Sequence, residues 1–348
     1  MSTPKGYFSI TVTIAILLFA VIIFPLLPNL AHSQQQLFPF LPSANTIKDQ
    51  INDDVQNESI TSTRGSNSNP SSTDKVVILD FYDNDIGQFT YAKPILDKYG
   101  FKGTFFIVCN WASSHNPERM TWQEINQLYR EGHDIESHTM THKLLDGLSA
   151  RALDYEVGQS KQCLYDHLGV YPTVFSPPHD RGWNNATVIN TIAKYYDLSI
   201  GGFVNDVMFL HCYGWKQQNQ HQQQEHFSQR DCRPYSDNGV LNYANRYDIK
   251  ENAGAQGHSN DTRIFNRFAN LVNREGILNS NRATQINSVL ILLYHNPNNT
   301  QTTQRDAMDT SLFDKEMKYL HDNSIKVITM SDLGYDENSR YLYVRNNK

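Results

Sequence analysis

Of its 348 residues only four are cysteines, and no two of them stand as a CxxC pair. That spacing argues against a four-cysteine zinc site. Neither GxSxG nor HExxH occurs, so the local signatures of a serine-hydrolase elbow and of a zincin protease are missing. Positive charge is not in excess either. Thirty Lys and Arg stand against 36 Asp and Glu, a net charge of −6, and nothing here suits a nucleic-acid polyanion. Charged residues make up 19% and hydrophobic ones 39%, an ordinary globular balance. Long apolar runs are scarce, with one exception at the N-terminus.

That exception is Tyr7 to Leu27, an uncharged stretch with Lys5 just before it. It is about long enough to cross a bilayer as a helix. Ala31-His32-Ser33 supplies the small residues of a signal cleavage site, so residues 1–33 read as a membrane anchor or a signal peptide. Either way the remainder is expected to be exported, anchored or secreted. Residues 34–74 are rich in Ser, Asn, Gln and Thr and bury too little to offset their ordering entropy. They read as a disordered linker. In an oxidising compartment disulfides become available. A Cys212–Cys232 bridge would close the Gln/His-rich insertion between those residues. Cys109 ends an apolar run and reads either as a plain buried thiol or as the partner of Cys163, which spacing alone does not decide.

From Lys75 onward strands and helices alternate. Val76–Phe81, Gly103–Val108, His133–Ser137, Thr173–Ser176, Ser288–Tyr294 and Ile325–Met330 read as short buried strands. Between them, helices are expected over Phe89–Lys98, Thr121–Glu131, Leu148–Leu168, Asn185–Tyr195 and Ser311–His321. Thr121 and Glu124 form a capping-box pattern. About seven such units suit an α/β fold of the (β/α) barrel kind, spanning residues 75–335, with 336–348 as a C-terminal tail. In barrels of this kind functional side chains gather where strands end. Asp83, His138, His142, His179 and His295 all stand just after a predicted strand.

His138 and His142 are four apart, a spacing that on one helical turn would place both on one face. Thirteen histidines in 348 residues give about 0.5 such pairs by chance, so position matters more than spacing. With Asp83 the two would make a His2Asp set for a divalent ion, Zn²⁺ or Co²⁺, that leaves a position open for water.

The runs FYDNDIGQFTYAKPILDKYGFKGTFFIV, GHDIESHTMTH, FSPPHDRGWNN and LILLYHN, in that order, resemble the polysaccharide deacetylases of carbohydrate esterase family 4, the NodB-homology group. The resemblance implies a distorted (β/α) barrel, a divalent metal and removal of acetyl groups from an N-acetylated polysaccharide. It implies Asp83, His138 and His142 as metal ligands, with Thr139 at a Ser/Thr position, and His295 as the general acid. The backbone N–H of His179 would be the oxyanion donor, with Pro178 and Trp215 as substrate-binding residues. Two positions depart from the family. Tyr82 stands where the family keeps its base aspartate, and Ser176 where it keeps an arginine that orients that base. A phenol of reference pKa about 10 is a poor base near neutrality. His179 is therefore an alternative base. Asp80 shares the inward face with Tyr82 but lies one step deeper. A metal-dependent deacetylase and a catalytically impaired, polysaccharide-holding protein both fit these residues.

Overall fold

The computed structural model describes residues 75–203, 207–210, 246–252, 262–279, 286, 288–295, 297–298, 308–338 and 341–345. The expected N-terminal helix, the linker, the Cys212–Cys232 bridge and Trp215 lie outside the described residues. Among the described residues no helix is long and apolar enough to cross a membrane.

Strand β1 (Val76–Tyr82) is buried along its whole length because both of its faces are covered. Alternation sends Val77, Leu79 and Phe81 to one cluster and Val76, Ile78 and Tyr82 to another. The first cluster includes helix residues such as Leu96, Phe268 and Phe313 and lies outside the sheet. The second gathers Phe106, Ile200, Ile249, Ile291 and Leu293 from four other strands, and is the lumen. The further strands are β2 (Thr104–Ile107), β3 (Asp134–Ser137), β4 (Val174–Phe175), β5 (Leu198–Phe203), β6 (Met208–Phe209), β7 (Ile249–Glu251) and β8 (Ser288–Tyr294). Their order in the sheet is β6-β8-β1-β2-β3-β4-β5-β7. β7 then meets β8: Asn252 N donates to Ile291 O at 2.8 Å, and Leu293 N donates to Asn252 O at 3.2 Å. The expected barrel is thus a nearly closed ring of seven parallel strands, with β6 added antiparallel to β8.

The short β9 (Pro297–Asn298) and β10 (Met308–Asp309) pair apart from the ring. β11 (Lys326–Ile328) pairs with the first half of β1, while β2 takes the second half. β12 (Leu333–Asp336) and β13 (Tyr341–Val344) form an antiparallel hairpin. This corrects the expectation of a C-terminal tail over 336–348, because Leu342 is buried with the lumen cluster and its N–H bonds Leu210 O.

The helices are α1 (Lys93–Tyr99), α2 (Cys109–Ala112), α3 (Trp122–Arg130), α4 (Ala150–Asp154), α5 (Ser160–Leu168), α6 (Ala186–Ile192), α7 (Thr262–Asn279) and α8 (Thr310–Asp322). The Thr121/Glu124 capping box forms as expected. The helix expected over 148–168 carries a wider turn, Tyr155–Gln159, between α4 and α5. Cys109 on α2 is bonded to Cys163 on α5. β5, β7 and α7 are not among the elements expected from the sequence, and the pairing of β5 with β7 is tertiary. β7 comes alongside β5 only because residue 201 is glycine: a Cβ there would lie 2.5 Å from Asp248 Cα.

A candidate metal centre at the open end of the barrel

β1 ends at Tyr82, and the chain then takes two consecutive left-handed residues, Asp83 (φ 72°) and Asn84 (φ 53°). Asp and Asn tolerate this region better than most residues. Asn84 fixes the turn: its side chain accepts from Val108 N at 2.7 Å and donates to Val108 O at 3.0 Å. Arg119 donates to Asp83 O at 2.5 Å and lies over the Trp111 ring. The Asp83 carboxylate is thereby held at the rim.

His138 follows β3 directly. Its Nδ1 lies 2.7 Å from Ser176 O. The segment from His138 to His142 is a loop, with Thr139 (φ 73°) and His142 (φ 61°) both left-handed, so the pair does not share a helical turn as its spacing suggested. The loop is shaped by its neighbours instead. Cys109 N and Asn110 N donate to Thr139 O and Met140 O, and Glu156 from the wider turn binds the Thr141 N–H and hydroxyl. His142 N donates to Thr139 Oγ1. His138 Nε2 and His142 Nε2 come within 3.5 and 3.1 Å of Asp83 Oδ1. All three ligand atoms fit within 4.8 Å of one another, about the spread one ion would span.

The protonation states favour a cation. A carbonyl can only accept, so His138 Nδ1 is the protonated nitrogen. Burial pushes this imidazole down to about 3, against the pull of Asp83. The ring is therefore neutral, and Nε2 turns a bare lone pair toward a carboxylate oxygen. Burial would raise the Asp83 carboxyl, but its contact with His142 outweighs burial and holds the group below its ordinary range. Two acceptors facing each other need a cation between them, and a neutral His with a carbonyl behind it is the usual form of a metal-ligating imidazole.

The cluster opens into a cleft of about 840 Å³, lined also by Tyr82, Trp111's partner Arg119, His179, Asp180 and His295. His295 follows β8, and its ring lies 5.6 Å from that of Tyr82. The His179 ring packs edge-on to His142 at 4.9 Å. Its left-handed backbone (φ 57°) turns it outward from β4. Pro177 lines the cleft, whereas Pro178, expected as the substrate-binding proline, is buried and does not.

Tyr82 has surroundings that its sequence neighbours do not disclose. Its ring stacks on Phe106 at 4.7 Å and meets His138 edge-on at 5.1 Å. Its hydroxyl donates to the Glu251 carboxylate, 169 positions away on β7. Burial first, then the Glu251 and Asp80 charges, raise the phenol well above its ordinary value. Burial and the nearby Asp180 charge push Glu251 up to about 8, although the Tyr82 and Asp80 bonds pull the other way. Asp80 is raised too, by burial and then by Glu251.

These shifts bear on stability. Unfolded, Glu251 would lose its proton near its reference value, about 4.3. Folded, it keeps the proton until about 8. Between those values the native state binds more protons, so the contribution is present at acid pH and is lost as pH rises toward 8. Glu251→Gln in metal-free protein is expected to gain stability over wild type from pH 5 to 8. Urea midpoints at several pH values would show it, and a constant difference would contradict it.

A polysaccharide deacetylase family model matches residues 69–198. The chain is 29% identical to YxkH of Bacillus subtilis over 116 residues, 33% of this chain and 40% of that protein. It is 32% identical to a chitin deacetylase of Pestalotiopsis over 112 residues, 31% of this chain and 36% of that protein. The matches therefore span well under two thirds of these relatives. Among solved structures, peptidoglycan deacetylase PdaC of Bacillus subtilis is 17% identical with a TM-score of 0.43, over 75% of this chain and 90% of that one.

Proposed function

We propose that this chain, whose residues 69–198 match a polysaccharide deacetylase family model, hydrolyses acetyl groups, N- or O-linked, from an extracellular polysaccharide with the help of a divalent ion. The observation that carries this reading is the Asp83–His138–His142 cluster, whose opposed lone pairs face an open cleft. A divalent cation held there would polarise the acetyl carbonyl and acidify the attacking water. Zn²⁺ suits this donor set, and Co²⁺ is an alternative. The chain's own residues do the rest. Arg119 holds the turn that presents Asp83, and the Ser176 carbonyl fixes the proton on His138 Nδ1. His295, at the cleft wall near Tyr82, would protonate the leaving amine, with His179 as a second group able to carry a proton. Export by the N-terminal segment and its anchoring or cleavage belong to the same reading.

The high phenol value of Tyr82 favours a second reading, a domain that binds metal and sugar without turnover. Acetate release from N-acetylglucosamine oligomers separates the two. With added Zn²⁺ or Co²⁺, the expected result is release above a metal-free control. Binding of the oligomers without any release would establish the second reading.

A further inference from the structure

The supports of all three candidate metal ligands meet in one short piece of chain, residues 108–111. Val108 exchanges two hydrogen bonds with Asn84, at 2.7 and 3.0 Å, and so fixes the turn that presents Asp83. Cys109 N and Asn110 N donate to Thr139 O and Met140 O, at 3.1 and 2.9 Å, inside the loop that carries His138 and His142. The Trp111 ring lies 4.8 Å from that of His142. Arg119, over the same indole, donates to Asp83 O.

The far side of the loop is held from α5 and the wider turn before it. Ser137, the last residue of β3 and the neighbour of His138, donates through its hydroxyl to Ser160 Oγ at 2.9 Å. Ser160 is the first residue of α5. Glu156 binds the Thr141 N–H and hydroxyl. The two supports belong to different elements, and one covalent bond joins them, Cys109 to Cys163. Its two ends are 54 residues apart, and both imidazoles lie between them. α2 has only four residues and no side-chain cap, too short to hold a shape unaided, so its place depends on its attachments. α5 has others. Leu164 is buried in the outer cluster, and Ser160 Oγ lies 3.0 Å from the Tyr196 hydroxyl. Loss of the bond therefore frees α2 and the loop it holds more than it frees the sheet.

We propose that the Cys109–Cys163 bond is a positioning crosslink for the metal ligands and makes the site sensitive to thiols: opening it loosens the His138–His142 loop and lowers affinity for the ion while the barrel stays folded. This rests on the metal-dependent reading above. Cys109 is 1% exposed, whereas Cys163 is only partly buried, so a small thiolate meets the Cys163 sulfur first. Attack there forms a mixed disulfide and breaks the S–S bond. The electron pair leaves on the Cys109 sulfur, which takes a proton. The second thiol of a dithiol then displaces Cys163 as a thiol. The protein gains two electrons and two protons, and the dithiol becomes a cyclic disulfide.

The ion affinities of the oxidised and reduced full chain test this. Cys212→Ser/Cys232→Ser serves as background, so that only this bond is opened. The protein is reduced with dithiothreitol, freed of the reagent under argon and titrated with Co²⁺, followed by visible absorption. Reduction is expected to weaken binding about 10–10²-fold, the usual cost of disturbing the outer partners of metal ligands. Reoxidation should restore the affinity. Cys109→Ala/Cys163→Ser, which leaves neither thiol to bind Co²⁺, should show the same loss and no response to the dithiol. His138→Ala identifies which absorption belongs to this site. Near-ultraviolet dichroism should stay close to that of the oxidised protein throughout. If the background variant does not fold, wild type against Cys109→Ala/Cys163→Ser decides. Equal affinity with and without the bond would overturn the proposal. Collapse of the dichroism on reduction would overturn it too, because the bond would then hold the barrel and not the site. An oxidised protein that binds no Co²⁺ would sink the metal reading, and the crosslink with it. One that binds Co²⁺ but releases no acetate would sink the deacetylase reading alone, and the affinities would still decide the crosslink.

Discussion

Alanine at position 138 is expected to empty the metal site and abolish acetate release. His138 is the most enclosed of the three ligands and the only one whose second nitrogen is fixed by a main-chain carbonyl. Its removal leaves one imidazole and one carboxylate, too few donors for a tetrahedral site that keeps a position for water. Altering an outer partner of such a ligand costs about 10–100-fold in affinity, so losing the ligand itself should cost more than roughly 10²-fold. The fold should persist, because His138 sits past the end of β3 and the strand pairings do not use its side chain. Metal analysis after dialysis, beside a melting curve, measures both. Wild-type metal content in His138→Ala would show that the ion, if any, is bound elsewhere.

The largest loss of stability is expected from Phe81→Ala. Phe81 stacks on Phe105 at 4.8 Å and on Tyr294 at 5.5 Å, and meets Phe313 edge-on at 5.9 Å. It therefore ties β1 to both flanking strands and to α8. Truncation forfeits the buried area and opens a cavity that three rigid rings cannot fill, at a cost of about 3–5 kcal/mol. For a domain of this size that corresponds to a fall in Tm of roughly 10 °C. The substitution lies on the outer face of β1, away from the lumen, so surviving folded protein should keep its metal site. A fall of only a degree or two would mean that the cluster repacks around the gap.

Both variants fall on parts of the molecule that are legible locally. VVILDFY and SVLILLY are continuous apolar runs, and only a strand covered on both faces buries such runs at that length. The positions of Asp83, His138, His142, His179 and His295 just past predicted strands are legible for the same reason, since a parallel sheet brings all its strand ends to one side. The HxxxH spacing pointed to a pair that does come together beside Asp83, but through a different geometry. A loop with left-handed residues, held by Glu156, Thr139 and α2, brings the two imidazoles to Asp83. The Cys109–Cys163 bond was one of two options in the sequence, and only the approach of α2 to α5 decides it.

Sequence by itself determined the alternation of elements, the burial of β1 and β8, and the residue types available for a metal. The resemblance also implied that Tyr82 and Ser176 stand where the family keeps a base and its partner, and so raised the question of which group takes the proton. Only the tertiary structure brings Glu251 to the Tyr82 hydroxyl. Glu251 is one acidic residue among 36 and sits on a three-residue strand with no periodic signal. Its meaning depends on closure of the barrel, which joins residues 169 positions apart, and no local pattern encodes a contact at that separation.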